Sequence, residues 1–137
     1  MMFAKKSVSQ IYNILKYPIL LFVINFFAGW FYELFPSIDI LFHFLGGYVI
    51  VISLKHFFIY NGDIDQINKL ESKWRLLFVI GMVATIGVFW EVYELFLDAI
   101  INTNTQPGVA DTVTDLVLDI VGAGFGYYFY WQKKIIN

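Results

Sequence analysis

Four apolar stretches, at about 17–35, 39–60, 75–101 and 112–131, each approach the roughly 20 residues that a helix needs to cross the hydrocarbon core of a bilayer. No soluble fold of 137 residues could hide four such segments, in a chain that is 59% hydrophobic and only 15% charged, against about 25% charged in ordinary soluble domains. The expected architecture is a single all-α membrane domain over 1–137, a bundle of four transmembrane helices with the lipid bilayer as its solvent. Twenty per cent aromatic residues, fifteen of them Phe, suit tail-facing surfaces and interfacial belts. Trp30, Trp74, Trp90 and Trp131 mostly fall near segment ends, where such belts form.

The connections differ in character. Pro36-Ser37-Ile38 predicts a tight hairpin between the first two segments, because a proline ring blocks continuation of the preceding helix. Residues 61–74 are polar and of mixed charge, and 102–110 carry Asn-Thr-Asn-Thr-Gln-Pro-Gly, an exposed loop. The first segment is too long for a signal peptide and is followed by no small-residue cleavage site, so it is expected to stay as an anchor. Cysteine is absent, which excludes disulfides, thiolate metal sites and a catalytic thiol, and a net charge of −2 gives no footing for a nucleic-acid partner.

Charge is segregated. All nine Lys and Arg lie before the first segment, around the second connection or at the C-terminus, which four spans place on one side. The positive-inside rule makes that side cytoplasmic, with both termini inside a multi-pass cell-membrane protein. Lys55 is expected to snorkel from the inner end of the second segment. Glu33, Asp39, Glu91, Glu94, Asp98, Asp111, Asp115 and Asp119 fall on the outward half, with His43 as the nearby group able to become cationic.

Helical periodicity gathers these acids. At about 100° per residue, Ala84, Gly87, Glu91, Glu94 and Asp98 share one stripe, Asp111, Asp115, Asp119, Gly122 and Gly126 a second, and Asp39, His43, Gly46 and Gly47 a third. Small residues let helices approach closely in lipid, so the same stripes should form the packing seam and carry the acids inward. By the rise of about 1.5 Å per residue, Glu91 and Asp119 lie roughly 13 Å below the outer ends of their segments. An ionised acid there costs on the order of 2.5–3.5 kcal/mol unless it faces protein or water.

Crowded carboxylates must share protons or hold a cation. Oxygen ligands with one imidazole suit Mg, Mn, Ca or Zn, and an ion-activated water with a spare carboxylate is a route to hydrolysis. His43, Glu91, Asp115 and Asp119 are therefore the candidate divalent-metal ligands, Glu94 the candidate catalytic base, and Asp39, Asp98 and Asp111 accessory acids. Competing readings exist for several of them. Asp111 can cap a helix, Asp98 and Asp39 can be interface residues, and His43 can be oriented inertly by Asp39. Gly122-Ala-Gly-Phe-Gly126 follows no strand and reads as packing rather than as a nucleotide fingerprint.

The ordered motifs Asp39-x-x-x-His43-Phe-x-Gly-Gly47, Trp90-Glu-x-x-Glu94 and Asp111-x-x-x-Asp115-x-x-x-Asp119-x-x-Gly-Ala123 resemble those of the VanZ-like and YjdF-like small bacterial membrane proteins, over roughly 38–127. The acid-Gln pair and Arg of VanZ proper are missing, so the YjdF-like branch is the nearer likeness. The resemblance implies a membrane bundle and supports the site residues. VanZ itself is associated with teicoplanin resistance, an activity that a shared fold does not transfer. The leading expectation is a metal site acting on a lipid or cell-envelope substrate at the outer leaflet. A proton- or cation-coupled transport element working as an oligomer, and a non-catalytic assembly subunit, are the alternatives.

Overall fold

A computed structural model describes residues 7–28, 38–101 and 105–133. The described residues form α1 (Val8–Ala28), α2 (Ile38–Asn61), a short α3 (Ile64–Asn68), α4 (Ser72–Ile101) and α5 (Val109–Gly126), which runs on into a π-helical turn, Tyr127–Trp131. Among them α1, α2 and α4 are long and apolar enough to cross a membrane. The Pro36 hairpin, Trp30, Glu33, Lys5, Lys6 and Lys134 lie outside the described residues.

The first helix begins at Val8, not near Tyr17 as hydropathy predicts. The cause is a capping box: the Gln10 amide donates to Ser7 Oγ (3.3 Å) and the Ser7 amide to Gln10 Oε1 (3.0 Å), so two end groups of the helix satisfy each other. Pro18 then sits inside the helix, as membrane helices tolerate. The other long elements keep close to their expected limits. Gly62, at φ 78°, ends α2, with Gly62 N–H donating to the Ile59 carbonyl and Asp63 N–H to that of Phe58. The second connection, polar and of mixed charge, holds α3.

Helix α2 is the hub, packed on α1, α4 and α5. Its seam with α5 is built on glycine. A Cβ on Gly47 would run into the Asp119 carbonyl, and one on Gly122 into that of Phe44. The two backbones touch, as the small-residue stripes predict. Val51, Leu54, Val79, Val83, Ala123, Tyr127 and Trp131 form the apolar core toward the basic end of the bundle. Helix α1 buries none of its residues and is tied to α2 by the Asn13 amide, which donates to Tyr60 Oη (3.1 Å).

Two expectations about that basic end are corrected. Lys55 does not snorkel. It is 5% exposed, and its ammonium donates to the Tyr130 carbonyl (3.0 Å) and the Lys133 carbonyl (2.6 Å) beside the Tyr130 ring. A cation belongs at a helix C-terminus, where carbonyls are left over, and the π turn and the residues just after it supply these two. Trp131 is a core residue rather than part of an interfacial belt, because the wide turn swings it inward against Phe58. Trp74 remains exposed.

Candidate metal centre

The acidic stripes of α4 and α5 and the histidine of α2 meet at the opposite end from Lys55. Val79, Val83, Gly87, Glu91 and Glu94 are the buried residues of α4, spaced every fourth or third position, so burying the core stripe also buries both glutamates. Likewise Asp115, Asp119, Gly122, Ala123 and Gly126 are those of α5. Asp119 sits against the glycines: a Cβ on Gly87 would strike its Oδ2, and Gly46 lies beside its Oδ1.

His43 is buried at the centre. Its Nε2 lies 3.8 Å from Asp39 Oδ1 and 3.8 Å from Asp115 Oδ2, while its Nδ1 lies 3.5 Å from Asp119 Oδ1. Two constellations share this ring. Asp39, His43 and Asp115 each offer a ligand atom, as do His43, Glu91 and Glu94, and the atoms of each trio lie within 4.8 Å of one another. Spacings of 3.8 Å exceed a hydrogen bond but fall within the roughly 4.2 Å that two ligands on one ion at about 2.1 Å can span.

Two buried oxygens here, Glu91 Oε1 and Asp115 Oδ2, have no hydrogen-bond partner among the described residues. Their residues are 4% and 2% exposed. A buried carboxylate oxygen without a hydrogen bond is costly, and a bound ion, a water or a shared proton are the ordinary ways of meeting it.

Of the expected site residues, the fold brings together His43, Asp39, Glu91, Glu94, Asp115 and Asp119. Asp98 and Asp111 stand apart. Asp98 accepts from Thr105 N–H (2.8 Å), Thr105 Oγ1 (2.8 Å) and Gln106 N–H (2.9 Å), and so ties the third connection to α4. Asp111 lies in the first turn of α5 rather than at its cap, which is Gly108, and there it complements the helix dipole.

Two further side chains shape the site. Trp90 Nε1 donates to Glu94 Oε1 (2.9 Å), fixing one oxygen and leaving the other for chemistry. Gln106 Nε2 lies 3.0 Å from both Glu91 Oε2 and Thr112 Oγ1, joining loop, α4 and α5. Sequence reasoning did not single out Gln106, because a loop glutamine carries no periodicity; its one signal was a polar residue next to Pro107 between two acidic helices.

Against known proteins, a family model described as "Predicted membrane protein (DUF2238)" matches residues 1–134. An uncharacterized protein of Thermotoga maritima is 32% identical over 112 residues, 76% of this chain and 53% of that protein. The chain thus spans about half the length of this relative. No solved structure matches.

Proposed function

The chain belongs to the DUF2238 family of predicted membrane proteins, and from that premise we propose that its buried His43 cluster binds a divalent cation and supports hydrolysis of a lipid or cell-envelope substrate from one face of the membrane. The observation that carries this reading is the pair of buried carboxylate oxygens, on Glu91 and Asp115, that accept no hydrogen bond from the described residues.

His43 Nε2, Asp39 and Asp115 would hold the ion, with Glu91 completing the set. Asp119, facing the other ring nitrogen, fits an orienting carboxylate better than a ligand, since metal-bound histidines donate their second N–H to such a partner. The ion would supply a Lewis acid and an acidified water. Glu94, with one oxygen held by Trp90, is placed to take the proton. Four spans, with α5 as the fourth and both termini cytoplasmic, complete the reading. Asp115 and Asp119 of α5 are buried in the bundle, and the described basic residues Lys55 and Arg75 gather around Tyr130 and Tyr127 at the far end.

A one-sided site is favoured over a transport path by what lies beneath it. Val51, Val83 and Ala123 are almost completely buried there, a dry apolar layer that offers no stepping stone for an ion. Elemental analysis of detergent-purified protein tests the proposal: about one divalent ion per chain supports it, and metal-free protein that also fails to bind added Zn, Mn, Mg or Ca rejects it.

A further inference from the structure

We propose that the open-sided cavity between α1, α2 and α4 holds one acyl chain of a membrane phospholipid. The cavity measures about 330 Å³, at the small end of the roughly 300–1,000 Å³ typical of ligand pockets. From Pro18, Ile50 and Val83 at one end it runs to Asn25, Phe42 and Trp90 at the other. Its walls are almost wholly apolar, and His43 and Asp119 are set into one side.

Each property narrows the occupant. Away from Asn25, His43 and Asp119 the lining offers ordered water no polar partners, which it needs in twos or more. Left empty, the cavity would forfeit the packing contacts of its lining. The three lining helices are those long and apolar enough to span a membrane, so the medium beside the cavity is hydrocarbon. Helix α1 buries nothing and reaches α4 through the edge-on Phe22–Trp90 ring pair, 6.0 Å between centroids. The cavity is therefore open-sided rather than sealed off from the bilayer. A hydrocarbon chain matches the lining, and the polar end of its lipid belongs beside Asn25 and His43.

The inference deepens the proposed function by naming the apolar half of the substrate, and it rests on that reading only for calling the lipid a substrate. Chain occupancy and ion binding are read separately. Purified protein is incubated with palmitoyl-oleoyl-phosphatidylglycerol, and bound lipid is counted by native mass spectrometry. In parallel, the protein in nanodiscs is photolabelled with phosphatidylglycerol carrying a diazirine at its acyl terminus.

One lipid per chain is expected to survive extraction, with label on Ile50 and Val83 at least fivefold above that on Phe89, which is 68% exposed on the outer face of α4. Filling the cavity by Val83→Phe, or by Ile86→Phe if the first variant does not fold, should lower retained lipid at least fivefold. Glu91→Gln should lose the ion and keep the lipid. Labelling of Ile50 and Val83 no stronger than that of Phe89 overturns the proposal whatever the variants do, and so does retention unchanged in a folded filling variant. Lipid retained by a metal-free protein would leave this inference standing and remove the ion.

Discussion

His43 Nδ1 stands 3.5 Å from Asp119 Oδ1, and this pairing joins α2 to α5 at the level where Gly47 lets the two backbones touch. The same close approach that packs the helices thus also sets the orientation of the imidazole. Nε2 is left to face Asp39 and Asp115.

Removing a ligand and removing its orienting partner should therefore differ. Asp115→Asn is expected to abolish stoichiometric binding of a divalent ion. Asp119→Asn should retain it with affinity weakened about 10–100-fold, the usual effect of losing the partner behind a metal-bound histidine. Calorimetric titration of the apo-protein with Zn or Mn distinguishes the two, and equal losses would make Asp119 a ligand.

The α2–α5 seam predicts opposite signs for two neighbouring glycines. Gly122→Ala forces a methyl into the Phe44 carbonyl and should cost about 1–3 kcal/mol through overpacking. Gly124 faces open space, and Gly124→Ala should stabilise the helix by about 0.5–1 kcal/mol. Thermal unfolding in detergent reads both.

Lys55→Met keeps the length of the side chain and deletes its ammonium. The Lys133 carbonyl then loses its side-chain donor and the Tyr130 carbonyl one of its two donors, with an expected loss of about 1–3 kcal/mol. Hydrogen exchange should localise the loosening to 127–133, and unchanged exchange there would mean that water replaces the lysine without cost.

Asp98→Ala should loosen the third connection, which Gln106 still holds to Glu91 of α4, without removing an ion ligand. The Thr105 and Gln106 amides, both bonded to this carboxylate, should exchange at least tenfold faster, which corresponds to about 1.4 kcal/mol. Ion content is expected to stay the same.

The absence of cysteine makes the topology directly testable. In intact cells, a membrane-impermeant maleimide should label Pro107→Cys and reach Asp65→Cys only after permeabilisation. Labelling of both from outside would overturn the four-span arrangement.

Much of this protein follows from the sequence alone, because in lipid two simple constraints act on every residue. Apolar runs of fixed length must become helices, and acids spaced three or four apart must share a face; Glu91 with Glu94, and Asp115 with Asp119, are legible for that reason. The tertiary structure decided what depends on neighbours distant in the chain. Asp98 is drawn to a loop, Gln106 bridges to Glu91, and Lys55 meets carbonyls some 75 positions away at the end of the last helix. Periodicity assigns a side chain to a face of its own helix, whereas the partner it meets there depends on how that helix docks, and here glycine contacts set that docking.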